Sequence, residues 1–206
     1  VNSALKHLGV RPPTRENRRI TVNLAPADVK KAGSHYDLAI ALAYLLASEQ
    51  LKPFDAGSRL FVGELSLDGA LRPISGALNI ALFAREQGFR ELYLPRENAP
   101  EAAVIREISV FPVATLRELV MHLETGKGIA AHPHVPLVPQ THAGRVRFAD
   151  VRGHDAAKRA LLVAAAGGHN ILLSGPPGTG KTMLAEAFAG ILPPPTEEEM
   201  LHATRI

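Results

Sequence analysis

Asn170-Ile-Leu-Leu-Ser-Gly-Pro-Pro-Gly-Thr-Gly-Lys-Thr-Met-Leu-Ala-Glu-Ala-Phe188 is an apolar run that leads into a glycine-rich loop and then into a helix-forming segment. Within this stretch, residues 175–182 match the pattern G-x-x-x-x-G-K-[ST] at every fixed position. The flanking residues predict a short buried strand over 171–174 and a helix over 183–192, which the prolines at 193–195 end. The stretch therefore predicts a phosphate-binding loop in an α/β fold, and the alternative is a glycine-rich turn that holds no ligand.

The residue types in this loop suit a nucleoside triphosphate bound with Mg²⁺. Glycines allow the backbone to approach the phosphates closely and to adopt the positive φ angles that turn successive N–H groups toward an anion. The anion then lies at the positive end of the following helix. A lysine reaches the β- and γ-phosphates, and a hydroxyl takes one place around the metal. The candidate ATP-binding residues are Gly175, Pro176, Pro177, Gly178, Thr179, Gly180, Lys181 and Thr182, with Thr182 also the candidate Mg²⁺ ligand.

Composition excludes some classes of site and leaves others open. The chain has 206 residues, 46% of them hydrophobic, so it can form one or two packed domains. Cysteine is absent, which excludes disulfides, thiolate metal sites and cysteine nucleophiles. The formal net charge of +3 permits a nucleic-acid partner without indicating one. Its longest apolar run, 38–46, is far shorter than the about 20 residues that span a bilayer, so we expect a soluble, cytoplasmic protein.

Strand and helix signals alternate through the first 125 residues and predict a compact α/β or α+β unit. Glycine, proline and N-cap residues mark the ends of the elements. The expected elements are a helix that ends before Gly9, a strand over 20–24, a helix from Leu38 to about Leu51 capped by Asp37, a hairpin around Asp68-Gly69 with strands over 60–67 and 70–73, a helix over 78–87, a strand over 91–94, a short helix over 100–106, a strand over 110–113 and a helix over 116–124 capped by Thr115.

Residues 125–148 are interrupted by glycine and proline and predict a linker between two domains. His132, His134 and His142 in this segment allow either a zinc site or a plain polar linker, and no acidic or thiol partner lies near them. Beyond the linker, residues 150–166 predict a helix that leads to the phosphate-binding loop. A basic stretch with Arg11, Arg15, Arg18 and Arg19 allows either phosphate contacts or a solvated loop before a strand.

Two segments resemble parts of one known family. The second half, with Phe148-Ala-Asp-Val-Arg-Gly-His154, Ala164-Ala-Ala-Gly-Gly-His-Asn170 and the loop, resembles the start of the AAA+ module of magnesium-chelatase-like ATPases. The first half, with Lys31-Ala-Gly-Ser-His-Tyr-Asp-Leu38 and Val62-Gly-Glu-Leu-Ser-Leu-Asp-Gly69, resembles the Lon-protease-like domain that precedes this module in ATPases of the ComM type. Together the resemblances span nearly the whole chain in the family's order.

The resemblance implies a fold and a division of the chain. It implies a Lon-protease-like α+β fold (ribosomal protein S5 domain 2-like) over 1–125, a linker over 126–148, and the beginning of a P-loop AAA+ α/β module over 149–206. The chain opens on Val1, not on Met, and residues 183–206 contain no apolar strand that ends in Asp-Glu, the Walker B motif of hydrolysis. We therefore expect a fragment of a longer protein, truncated at both ends and inactive as an ATPase by itself, and no catalytic residue can be assigned within it.

The Lon resemblance also predicts that the first domain is not a peptidase. Active Lon proteases use a serine and a lysine, and this chain has His35 at the serine position and Leu78 at the lysine position. Ser34 lies one residue early. Lys31 does not substitute for the missing amine, since a dyad requires the amine within hydrogen-bond reach of the hydroxyl. We expect a scaffold or interaction domain in place of a catalytic one.

By resemblance, the intact protein is expected to be an AAA+ ATPase that self-associates into a six-membered ring and uses ATP to move along DNA during recombination in natural transformation. The DNA partner rests on the resemblance alone. One alternative is a chelatase- or chaperone-type ATPase that remodels a protein partner, and another is an ATP-dependent Lon-type protease.

Overall fold

The computed structural model describes residues 1–12, 20–24, 33, 35–138 and 146–204. The chain divides into two compact units, residues 1–136 and residues 137–206. Both contain helices, and the first also contains a small parallel sheet, so the mixed α/β class predicted from the sequence is confirmed. Among the described residues, no helix has the length and apolar character needed to cross a membrane.

A three-stranded parallel sheet forms the centre of the first unit. Its strands are β1 (Arg59–Phe61), β4 (Glu91–Pro95) and β5 (Ser109–Val113), with β4 in the middle. The register aligns Leu60 with Leu92, and Leu92 with Val110. Strands β4 and β5 agree with the predicted segments 91–94 and 110–113.

One face of this sheet carries a stack of aromatic rings. The ring of Tyr93 lies between those of Phe61 and Phe111, with centroid distances of 4.8 and 4.7 Å. The Tyr93 hydroxyl donates to Glu91 Oε2 at 2.8 Å. Burial, together with this carboxylate, raises the pKa of the Tyr93 phenol well above its usual range. The side chain therefore stays protonated and serves as a buried donor.

The predicted hairpin is present, but its first strand is shorter than expected. Strands β2 (Glu64–Leu65) and β3 (Leu71–Arg72) pair antiparallel around the Asp68-Gly69 turn, where Gly69 has φ 85°. The predicted strand 60–67 divides at Gly63, because β1 pairs with β4 whereas β2 pairs with β3. One apolar run thus supplies a strand to each of two sheets.

Helices cover the sheet at positions close to those predicted. Gly9 ends the first helix in the left-handed conformation, and the Thr115 hydroxyl accepts from the Glu118 N–H at 3.1 Å to cap the fifth, so both signals are confirmed. The helices of this unit are α1 (Asn2–Leu8), α2 (Asp37–Ala47), α3 (Ala77–Glu86), α4 (Ala99–Ala102) and α5 (Leu116–Thr125), with a 3-10 turn at Arg96–Asn98 before α4.

Asp37 does not cap α2, contrary to the prediction. The N-cap is Tyr36, and Asp37 is the first helical residue. Its carboxylate accepts the backbone N–H of Leu65 at 3.3 Å, so it ties the helix to β2 instead of satisfying the helix's own N–H groups. The long-range partner takes precedence over the local capping role.

Asn98 is a buried polar residue that fastens the segment before α3. Its Oδ1 accepts the Ile74 N–H at 2.9 Å, and its Nδ2 donates to the Ile74 carbonyl at 2.7 Å. Only 7% of Asn98 is exposed. Nearby, the Glu101 carboxylate accepts the Leu78 N–H in the first turn of α3 at 3.0 Å. Side chains of the Arg96–Ala102 region therefore satisfy backbone groups that the sheet does not reach.

The first part of the predicted linker packs on the first unit. Ile129 is buried in the core of this unit. The His132 N–H donates to the Val110 carbonyl at 2.7 Å, and the Val135 N–H donates to the Ala103 carbonyl at 3.0 Å. The fixed path of the chain thus continues about ten residues past α5.

The second unit has three helices among its described residues, α6 (Asp155–Gly167), α7 (Lys181–Ala189) and α8 (Glu197–Thr204). Residues Phe148–Asp150 form a 3-10 turn, so α6 begins later than the predicted residue 150. The side chain of Thr196 caps α8. The Glu199 N–H donates to the Thr196 hydroxyl at 3.3 Å, and the Thr196 N–H donates to Glu199 Oε2 at 2.7 Å. The N–H and the hydroxyl of Thr196, which lie 2.7 and 3.0 Å from Glu199 Oε2, both donate to this carboxylate and hold its pKa below the ordinary value.

Two predicted strands are absent. Residues 20–24 and 171–174 pair with no other strand among the described residues. An apolar alternating run becomes a strand only where a neighbouring backbone supplies hydrogen bonds. Residues 20–24 lie instead along a cleft of about 1040 Å³ that α1 and α2 also line, and Val22 is 52% exposed.

Replacing Asn98 by Ala should destabilise the first unit. The substitution leaves the N–H and the carbonyl of Ile74 without their buried partner, and each unsatisfied group costs about 1–3 kcal/mol. We expect the free energy of unfolding to fall by about 3 kcal/mol in urea titrations followed by circular dichroism. Asn79→Ala, at an exposed position of α3, is the matched control. Equal stability of the two variants would contradict the role of Asn98.

Candidate phosphate-binding site

The packing of α7 fixes the position of the glycine-rich loop in the second unit. Leu184 and Ala187 on α7 are buried against Leu161 on α6 and against Val151. Apolar residues at positions 184 and 187 fall on one helix face, one turn apart. The first turn of α7 remains at the surface, with Thr182 exposed. The sequence therefore buries one side of the helix and leaves its N-terminal end open to a ligand.

The loop has the backbone conformations that its glycines allow. Gly178 and Gly180 have φ angles of 80° and 74°. Gly180 is the N-cap of α7, so the helix begins directly at the turn, two residues earlier than predicted. A Cβ on Gly180 would lie 3.3 Å from Met183 Cε in addition to being strained. Glycine is favoured here because of its backbone conformation, and a Cβ would also displace the end of the Met183 side chain slightly.

Lys181 folds back over the loop. Its Nζ donates to the Gly175 carbonyl at 2.9 Å and to the Pro176 carbonyl at 2.6 Å, and it lies 3.4 Å from Thr179 Oγ1. The ammonium group therefore lies within the curve of the loop, at the side where α7 begins. Both carbonyl partners are neutral, so an anion would be a stronger acceptor for this cation.

The loop residues fit a phosphate group on chemical grounds. Residues 175–179 are exposed, and the first turn of α7 contains no acidic side chain that would repel an anion. The N–H groups at the start of α7 have no partner within the helix. A cation, a hydroxyl and free N–H donors thus meet at one exposed helix end, which is the donor set that a phosphate ester with Mg²⁺ requires.

His154 lies beside this loop and was not singled out as a site residue in the sequence. It is the N-cap of α6 and has a left-handed backbone, with φ 56°. Its Nε2 lies 3.7 Å from the position that a Cβ on Gly180 would take. Such a conformation is uncommon for a residue other than glycine. In the sequence, His154 is a histidine that follows Gly153 at the start of a predicted helix. Many helices begin in this way, so the sequence alone does not identify His154 as a site residue.

Arg147 and Asp150 form an exposed ion pair just before Val151. Arg147 Nε and Nη2 both donate to the Asp150 carboxylate at 2.8 Å. The hydrogen bonds from the guanidinium hold the pKa of the Asp150 carboxyl below its ordinary value, and the carboxylate raises the pKa of Arg147 above its ordinary value. Because the ion pair is exposed, it contributes little to the stability of the fold, and its main effect is to fix the conformation of the 3-10 turn.

The structure describes Leu78 and His35, the residues at the two positions that correspond to the dyad of Lon proteases. Leu78, at the lysine position, is a buried apolar residue of α3. The backbone of His35, at the serine position, accepts the Gly63 N–H at 2.9 Å. Ser34 and Lys31 lie outside the described residues.

The other candidate residues have local partners where the structure describes them. His134 lies between the Ala103 carbonyl, 2.8 Å from Nδ1, and Arg106, whose Nε donates to Nε2 at 3.1 Å. His132 Nδ1 lies 2.7 Å from the Pro133 carbonyl. No group of three potential metal ligands occurs among the described residues. Outside them lie His142 and three of the arginines, at positions 15, 18 and 19.

Gly180→Ala should weaken the start of α7. A residue with a Cβ in the left-handed region costs about 1–2 kcal/mol. We therefore expect the free energy of opening of the α7 amides, measured by hydrogen exchange, to fall by about 1–2 kcal/mol. Gly190→Ala is the control, because Gly190 has φ −74° and a Cβ there meets only ordinary contacts. If the α7 amides are equally protected from exchange in the two variants, the strain assigned to position 180 is wrong.

Comparison with known proteins places both parts of the chain in the same family. Residues 1–98 match the family described as subunit ChlI of Mg-chelatase, and residues 147–206 match the one described as magnesium chelatase, subunit ChlI. Over all of this chain, the YifB protein of Salmonella typhimurium is 44% identical and the competence protein ComM of Haemophilus influenzae is 38% identical. The chain spans 40% of the length of each of these relatives.

A more distant similarity involves only part of the chain. The Lon protease of Chloroflexus aurantiacus is 32% identical over 58% of this chain, which spans 15% of that protein. The similarities to YifB and ComM extend over the whole chain, whereas this one does not. The chain therefore belongs to the magnesium-chelatase ChlI family of AAA+ proteins and is a homologue of YifB and ComM.

Proposed function

We propose that this chain binds ATP with Mg²⁺ at Gly175–Thr182. The observation that carries the proposal is the arrangement of the loop, in which Gly178 and Gly180 have positive φ, α7 begins at the next residue, and the Lys181 ammonium lies within the curve. Membership of a family of AAA+ ATPases supports the same conclusion.

Each part of the loop has its own task in this proposal. Lys181 leaves the carbonyls of Gly175 and Pro176 and pairs with the β- and γ-phosphates. The exposed Thr182 hydroxyl holds Mg²⁺, and the N–H groups at the start of α7 orient the phosphate chain. Bound ATP supplies a phosphoanhydride bond whose hydrolysis is the energy source of the intact protein.

We extend the proposal to the two units of the chain. Residues 1–125 form a Lon-protease-like domain without a catalytic dyad, 126–148 a linker, and 149–206 the first part of an AAA+ module. The buried Leu78 supports the non-catalytic role of the first domain, because an aliphatic side chain cannot act as a base. By itself the chain should turn over little ATP, since residues 183–206 contain no apolar strand that ends in Asp-Glu.

The intact protein, in this proposal, is a cytoplasmic ring of AAA+ subunits, six by family resemblance, that uses ATP to move along DNA during recombination in natural transformation. Similarity to a competence protein over the whole chain supports this role. The family description as magnesium chelatase favours the alternative, an ATPase that remodels a protein partner.

Removing the Lys181 amine should abolish tight ATP binding. A charge-assisted hydrogen bond contributes about 1.5–3 kcal/mol, so we expect Lys181→Ala to weaken ATP affinity about 10- to 150-fold in isothermal titration of the full-length protein with Mg²⁺. Arg159→Ala, which removes an exposed cation of α6, is the control and should bind normally. Unchanged affinity of the Lys181 variant would refute the proposed site.

The DNA role has a separate test. We expect branched DNA to stimulate ATP hydrolysis by the full-length protein more than linear duplex or single strands do, and Lys181→Ala to remove this activity, because DNA translocation consumes ATP. The stimulation is measured as the rate of ATP hydrolysis with each DNA at the same nucleotide concentration. If no DNA binds or stimulates hydrolysis while a protein partner does, the chelatase- or chaperone-type alternative replaces the DNA motor.

A further inference from the structure

The side chain of Thr179 ties the two ends of the candidate phosphate-binding loop together. Its Oγ1 donates to the Pro176 carbonyl at 2.9 Å and lies 3.4 Å from Lys181 Nζ. The same oxygen would lie 3.3 Å from a Cβ on Gly175, so the hydroxyl occupies the space beside that glycine. The hydroxyl therefore contacts the entry and the exit of the loop.

Residues 177 and 178 form a tight turn, but few backbone hydrogen bonds of good geometry support this loop. Among the described residues, no such bond joins residues 175–179 to one another. Pro176 and Pro177 have no N–H group, so they cannot donate such a bond. In the structure, the side chains of Thr179 and Lys181 supply the bonds that close the turn.

These two side chains differ in what happens to them when an anion binds. The Pro176 carbonyl accepts from Lys181 Nζ at 2.6 Å and from Thr179 Oγ1 at 2.9 Å. In the proposed function, Lys181 turns to the phosphates and gives up its carbonyl partners. The bond from Thr179 to Pro176 does not involve Lys181, so it can remain.

We propose that Thr179 is a positioning residue of the nucleotide site, whose hydroxyl keeps the loop curved once Lys181 is engaged with phosphate. The curve determines where the N–H groups at the start of α7 point, and these groups converge on one anion only while the loop is closed. The inference rests on the proposed ATP-binding function and assigns a distinct task within it.

The test compares two substitutions at this position in the full-length protein. Thr179→Val keeps the branched shape and removes the donor, whereas Thr179→Ser keeps the donor and removes the methyl group. We expect the Val variant to bind ATP and ADP about three- to tenfold more weakly and the Ser variant to bind within about twofold of the parent, because one neutral hydrogen bond is lost in the first only.

The control is Thr204→Val on α8 of the same unit. There too a threonine hydroxyl donates to a carbonyl, that of Met200 at 2.8 Å, so the chemical change is the same away from the loop. We expect this variant to bind ATP as the parent does. Hydrogen exchange of α7 amides should be unchanged in the Val and Ser variants at position 179, which separates a positioning role from a stabilising one.

Three results would overturn the inference. These are parental affinity in Thr179→Val, equal weakness of Thr179→Val and Thr179→Ser, or a loss of affinity matched by loss of α7 protection. Lys181→Ala distinguishes this failure from failure of the proposed function. If Lys181→Ala weakens ATP binding as expected and Thr179→Val does not weaken it, only the role of Thr179 is wrong. A parent protein that binds no ATP would contradict both proposals.

Discussion

The contact between α7 and the residues beneath it is the constraint on which the candidate site depends. Leu184 and Ala187 are buried against Leu161 and Val151, and this packing fixes the axis of α7. Gly180 then determines where the helix begins, because it is the N-cap of α7 and its φ of 74° lies in the left-handed region that favours glycine. The direction of the unpaired N–H groups at that end follows from these two features.

Ligand-free stability and ligand binding compete for the same donor. Three contacts hold the Lys181 ammonium in the loop, and any phosphate must replace them. The net contribution of lysine to affinity is therefore smaller than the strength of one ammonium–phosphate bond, since carbonyl contacts are lost in exchange. The Thr179 hydroxyl keeps its bond to the Pro176 carbonyl, so only the lysine loses carbonyl contacts when a phosphate binds. This hydrogen bond matters in the proposed site because the two prolines of the loop have no N–H group to donate.

Helix ends were predicted correctly where the capping partner lies close by in the sequence. The prediction failed where the partner is a backbone group from a distant part of the chain. Gly9 and Thr115 act within one or two turns of themselves, so these helix ends could be predicted from the spacing of residues in the sequence. Asp37 has the same capping chemistry, but its carboxylate bonds to Leu65, far away in the sequence. The glycine-rich pattern located the loop, whereas the Lys181 contacts and the nearness of His154 depend on tertiary placement that no spacing encodes.

The segment before the loop shows how site and fold are linked energetically. In an extended chain alternate side chains lie on opposite faces, and in residues 171–174 only Leu173 packs against the α6–α7 core. Leu172 is 90% exposed, and covering it would contribute about 1.5–3 kcal/mol. A backbone paired along this segment would also satisfy its N–H and C=O groups. Both contributions would restrain the residues that lead into Gly175, so a segment that covered this face would also lower the entropy that the loop must lose when it closes on a phosphate.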